Sequence, residues 1–247
     1  MSRLGVEYFS LESSLESEWL KLPFAAMREV GPAVQTLGGL LRITTDETFV
    51  RVDKIAVSAG LPIDTVRKHL TTLRCAGWIE SLGRQRTANG RPRRTITWRP
   101  ARKAEHEPYG ILPLWASGSI GQGTKLSWSD RAVLSVVMAG LCKCKAAFER
   151  TDHNFPTVED FMNNFGMESR FSSPLSLSGL ESLTGLARNS IIKARENLMR
   201  LGIIGAAVDC GIADLLLPNF EFRVVVTPTD GGRAIVNFES SLDEGVA

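Results

Sequence analysis

The 247-residue chain contains no run of about 18 apolar residues, so no membrane span is predicted. It also lacks the opening of a secretory signal. Glu7, Glu12, Glu16 and Glu18 precede Trp19, where a basic start and an apolar run would be needed, and a cytoplasmic location is expected. The four cysteines, Cys75, Cys142, Cys144 and Cys210, have no zinc spacing, because one residue rather than two to four separates Cys142 from Cys144. Reduced thiols and no metal follow. Histidine is scarce and scattered (His69, His106, His153), and a plain surface role is expected for His69. A phosphate loop is missing too: GSIGQGTK at 118–125 reverses the Gly-Lys-Ser/Thr order that sets a lysine on phosphates, and reads better as a turn before a helix. Glu159-Asp160 and Asp152-His153 lack a third ligand and read as loop charges, and no nucleophile has an evident base beside it. Neither an enzyme nor a cofactor is expected.

What the chain does contain is one unit used twice. The stretch Asp53 to Ile79 recurs without a gap as Ser178 to Ile204, with an N-cap candidate (Asp53, Ser178), a Gly-Leu pair (Gly60-Leu61, Gly185-Leu186) and a closing Gly-x-Ile in each. A capped start followed about seven residues later by glycine predicts a short helix and a turn. A second helix follows at once. Val66, Leu70 and Leu73 share one stripe of it, as do Ile191, Ala194 and Leu198 in the second copy, while Arg67, Lys68 and Thr71, or Arg188, Asn189 and Lys193, point elsewhere. Two short helices joined by a glycine turn make a helix-turn-helix, although the same pair also occurs as a packed corner in proteins that never touch nucleic acid.

The residues after the first copy shift the balance. Trp78 to Leu82 reads as a strand, Thr95 to Trp98 as its partner, and Asn89-Gly90 between them is a turn signal. The tip carries Arg84, Arg86, Arg91, Arg93 and Arg94 with no local acid, so a polyanion is their most economical partner and a merely solvated basic loop the alternative. From Pro62 to Arg99 there are nine basic residues against two acidic, a net of +7 in a chain whose total is only +2. The second hairpin region differs: Gly205 to Thr227 has three acids against Arg223, a net of −2, and is mostly apolar. It reads either as a surface for self-association, giving a homodimer, or for contact between domains, or else as part of its own domain core, with Leu215, Leu216 and Leu217 packed inside.

A helix, a short strand (Phe49 to Val52), two helices and a basic hairpin resemble a winged-helix domain. The resemblance implies Ile63, Asp64, Arg67, Lys68 and Thr71 as residues facing the major groove of double-stranded DNA, and the five arginines of the wing as contacts to its backbone. In the second copy Arg188, Asn189 and Lys193 are the corresponding candidates. The expected fold class is mainly α with small β-hairpins (α+β), as two winged helix-turn-helix domains in tandem. Length and 43% hydrophobic content suit two cores. The expected division is residues 1–99, a linker at 100–108 (PARKAEHEP), and residues 109–247 with an insertion at about 142–176 that holds a helix near 158–165. The duplication extends upstream, since Leu22-Pro23 precedes one apolar stretch (Val34 to Ile43) and Leu112-Pro113 another (Ala132 to Leu141). Ser127 and Asp130 have capping-box spacing before the second stretch, whereas Gly38-Gly39 weakens the helical expectation in the first. Tandem winged-helix units resemble plasmid and phage replication initiators, which bind origin repeats. A winged-helix transcription regulator with a C-terminal dimerisation or sensing domain is the second reading.

Overall fold

The two Leu-Pro segments become strands that pair with each other. In the computed structural model, which describes residues 7–10, 19–44, 50–82, 96–117, 126–148, 176–206, 216–218, 223–228 and 234–239, strand β2 (Trp19–Pro23) runs antiparallel to β6 (Tyr109–Pro113). Leu20, Leu22 and Leu112 are fully buried on the inner face, and Lys21 is exposed on the outer one. The register has internal symmetry. Leu20 faces Leu112 and Leu22 faces Gly110, Trp19 faces Pro113 and Pro23 faces Tyr109, so exchanging the two strands about the Lys21–Ile111 pair reproduces the pairing. On the outer face the equivalent rings of Trp19 and Tyr109 stack at 6.1 Å, with the Lys21 ammonium 5.8 and 5.0 Å from their centroids.

The described chain is mainly helical with small antiparallel sheets, an α+β arrangement. After β2 come α1 (Phe24–Val30), a 3-10 turn (Gly31–Ala33) and α2 (Val34–Ile43). Both glycines that weaken the helical expectation lie inside α2, and close packing explains them. A Cβ at Gly38 would lie 2.7 Å from the Lys21 carbonyl oxygen, and one at Gly39 2.5 Å from the Ala59 Cβ. β3 (Val50–Arg51) leads into α3 (Val52–Ala59) and α4 (Ile63–Cys75), followed by β4 (Ile79–Leu82) and β5 (Thr97–Pro100). These strands form one sheet in the order β3-β5-β4, so the first hairpin pairs as expected, shifted slightly along the chain.

The stretch 100–108 is docked on the first half. Helix α5 (Arg102–Glu105) buries Ala104, and Lys103 donates to the Ala76 carbonyl (2.9 Å) with its ammonium 4.0 Å from the centre of the Trp78 ring. Beyond β6 lie a 3-10 turn (Leu114–Ser117), α6 (Trp128–Phe148), α7 (Leu177–Thr184), α8 (Arg188–Arg200) and the paired strands β7 (Ile204–Ala206) and β8 (Leu216–Pro218). The capping box is present: Ser127 N–H donates to the Asp130 carboxylate (2.7 Å) and Asp130 N–H to Ser127 Oγ (3.2 Å). Helix α6 runs on through Cys142 and Cys144, so the first seven residues of the expected insertion are helical. The remainder, with the expected helix at 158–165, lies outside the described residues, as does the loop at 118–125. A further sheet has no counterpart in the sequence-based expectation: β1 (Glu7–Ser10) and β10 (Ala234–Glu239) flank β9 (Arg223–Pro228), joining the two ends of the chain.

The repeat holds in helix lengths and backbone turns, although buried Leu70 aligns with Arg195 in the second copy. Helices α3 and α7 have eight residues each, and α4 and α8 thirteen each. Each pair turns at a left-handed glycine, Gly60 (φ 65°) or Gly185 (φ 69°), a backbone state that costs glycine little. Each second helix ends alike: Gly77 and Gly202 have φ near 70°, and the following amides of Trp78 and Ile203 reach back 2.9 Å to Leu73 and Leu198. The cap candidates need correction by two residues. Asp53 lies in the first turn, paired with Arg51 at 3.1 Å, and Ser176, not Ser178, accepts the Gly179 amide. A helix that starts two residues earlier leaves Asp53 and Ser178 inside it.

Candidate nucleic-acid interface

Burial of one stripe on each second helix determines what the opposite stripe presents. Val66, Leu70 and Leu73 of α4 are buried, as are Ile191, Ala194 and Leu198 of α8, in agreement with the periodicity. Asp64, Arg67, Lys68 and Thr71 are exposed along α4, and Ile63 keeps 41% of its surface at the helix start. Arg67 donates to Asp64 at 2.9 Å, one turn back, and Thr71 Oγ1 donates to the Arg67 carbonyl. The Asp64–Arg67 pair is exposed on both sides, so it aims the guanidinium and adds little stability.

On α8, Arg188, Asn189 and Lys193 are exposed, and Lys193 occupies the place of Lys68 in the repeat. Arg188 lies 3.8 Å from Glu181 of the preceding helix. Net charge is +2 on α4 (Arg67, Lys68 and Arg74 against Asp64) and +3 on α8 (Arg188, Lys193, Arg195 and Arg200 against Glu196). The two helices are thus matched in sign, unlike the hairpins that follow them. Arg84, Arg86, Arg91, Arg93 and Arg94 lie outside the described residues, as do Leu215 and residues 219–222 of the apolar second region. Strands β4 and β5 hold the two ends of the arginine-rich segment side by side, with Leu82 opposite Thr97.

Several polar residues that position these helices do not stand out in the sequence. Gln35 is 1% exposed and has its whole amide engaged: Nε2 donates to the carbonyls of Ala59 (2.8 Å) and Ser117 (2.6 Å), and Oε1 accepts from Arg131 (2.9 Å). Arg131 also donates to the Ser117 carbonyl. Burial lowers the Arg131 pKa, against which the neighbouring Asp130 carboxylate acts. His69 corrects the surface expectation: it is half-buried, and its Nδ1 lies 2.9 Å from Thr36 Oγ1. Burial, then the Arg131 charge, hold its pKa below the usual histidine value. The signal for these contacts is a polar pair, Gln35-Thr36, inside the apolar stretch Val34 to Ile43.

Two polar contacts join the halves. Arg28, in the last turn of α1, donates to the Ser182 carbonyl of α7 (3.0 Å), and Gly185 lies so close to the Arg28 backbone that a Cβ there would meet its Cα at 2.9 Å. In the other, the turn ending at Ser117 meets the end of α3 through Gln35. The chain matches no protein-family model and no curated protein. Among the described residues, no group of three His, Cys, Asp or Glu side chains could hold a metal ion, and no helix is long and apolar enough to cross a membrane.

Proposed function

We propose that the protein binds double-stranded DNA in a sequence-specific manner through two winged-helix units, and acts as a plasmid or phage replication initiator on origin repeats. The observation that carries this reading is the pair of congruent second helices, α4 and α8, each with its apolar stripe buried and a basic stripe exposed. A helix of this kind fits the major groove, where arginine and lysine read guanine edges or grip phosphates. Matched positive charge favours contact by both halves over a regulator whose second half only senses or dimerises. The antiparallel pairing of the two equivalent Leu-Pro segments, β2 and β6, favours half-sites of opposite orientation within the stretch covered by one chain.

Selection of bound duplexes from a random pool tests the proposal. Recovery of a motif with two half-sites, the whole arranged head to tail when several copies are bound, is the expected result. A single half-site would reduce the protein to a one-headed binder, and a palindrome spanning two chains would favour a dimeric regulator.

A further inference from the structure

We propose that Asp130 and Arg131, adjacent in the first turn of α6, set the spacing at which the two recognition helices meet DNA, by holding one helix-turn-helix unit each. The spacing claim rests on the DNA-binding reading given above. The mounting itself does not.

The two side chains diverge from one short stretch of backbone. Asp130, 4% exposed, caps α6 through Ser127 and accepts a hydrogen bond from Asn197 Nδ2 of α8 at 3.0 Å. Arg131 reaches the other way, to Gln35 Oε1 on α2 at 2.9 Å, and Gln35 passes the contact on to the last carbonyl of α3. A second adjacent pair divides the work within the first half: Gln35 holds α3, while Thr36 holds His69 on α4. The result is a continuous path from α4 to α8 made of three hydrogen bonds of 2.9 to 3.0 Å, His69–Thr36, Gln35–Arg131 and Asp130–Asn197, joined by the backbone between the adjacent residues of each pair.

Such a path does what apolar packing beside it cannot. Leucines tolerate small sliding and rotation, whereas hydrogen bonds weaken steeply once the donor angle falls off. A buried amide with both donors and its acceptor committed permits one arrangement, because any other leaves buried groups unpaired. Gly39 removes the remaining slack by bringing α2 against the backbone of Ala59. The angle between the helix-turn-helix units is therefore fixed by named polar groups.

The test uses the full chain in Arg131→Met, which keeps length and loses directionality, with Arg131→Lys as the conservative variant and Asn197→Ala cutting the path at its other end. Spin labels at Cys75 on α4 and at Met199→Cys on α8, with Cys142, Cys144 and Cys210 changed to Ser, report the helix-to-helix distance without DNA. A narrow distance distribution is expected for the parent, at least twice as broad in Arg131→Met and Asn197→Ala, and partly restored in Arg131→Lys. On duplexes whose half-site spacer is varied by one and two base pairs, the parent should prefer one spacer by tenfold or more, and Arg131→Met by threefold or less, with binding to an isolated half-site unchanged. An unchanged distance distribution in both folded variants would overturn the mounting. A broadened distribution with an unchanged spacer preference would overturn its role in spacing. If no variant binds duplex, the parent included, the DNA-binding reading fails, and the label distances still decide the mounting.

Discussion

At Gly39 a hydrogen atom stands where any side chain would meet Ala59. Alanine there gains about 1 kcal/mol of helix propensity, yet its methyl would lie 2.5 Å from the Ala59 Cβ and 2.7 Å from backbone atoms that cannot swing away. Overpacking of this kind costs about 1 to 3 kcal/mol. Gly39→Ala is therefore expected to lower the midpoint of denaturant unfolding, and a higher midpoint would contradict the close approach of α2 and α3. His69 gives a pH signature. Its folded pKa is depressed by burial and by Arg131, so the unfolded chain takes up a proton first as pH falls. The stability this residue contributes is complete above about pH 6.5, the unfolded value, and is lost as pH falls below it toward the folded pKa. His69→Gln, which can still hydrogen-bond Thr36, should flatten the fall in stability between pH 7 and 5 relative to the parent. Parallel curves for the two proteins would show that His69 does not titrate differently on folding.

At the scale of elements, the helix pairs were legible because burial and turning are local. The period of Val66, Leu70 and Leu73 gave the buried face of α4, and Gly60 and Gly77 gave its limits. Helix starts were less legible, since Asp53 and Ser178 are good caps by type and the choice of cap depends on where β3 and the Ser176 turn deliver the chain. Helix α2 was obscured for a related reason: its two glycines count against a helix until β2 and α3 are seen to need the space. The pairing of β2 with β6, about ninety positions apart, and of β1 with β9 depends on contacts distant in sequence and left no local mark. For the first wing the expectation is electrostatic. Replacing Arg91, Arg93 and Arg94 with Ala should weaken binding to all duplexes alike and flatten the salt dependence by about 0.9 in log-log slope for each phosphate that is no longer neutralised. A slope equal to that of the parent would remove the wing from the interface.

The whole molecule combines a symmetric frame with an asymmetric surface. Two congruent helix pairs are joined through a strand pair that is its own image under exchange, and one buried cluster runs from Leu20 and Val66 to Val137 and Leu198. Charge does not follow that symmetry: the segment after α4 is strongly basic, and the one after α8 is acidic and apolar. Under the proposed DNA-binding function, similar helices and dissimilar hairpin segments would orient the chain on its site. The central claim is that both second helices touch DNA. Its most direct test is a parallel titration of Lys68→Glu and Lys193→Glu, equivalent positions on α4 and α8 and both exposed, against a duplex selected by the parent protein. The expected result is a loss of at least tenfold in affinity in each, about 1.4 kcal/mol or more, with unfolding midpoints unchanged. Parental affinity in either variant, or a parent that binds no duplex even at low salt, would contradict it.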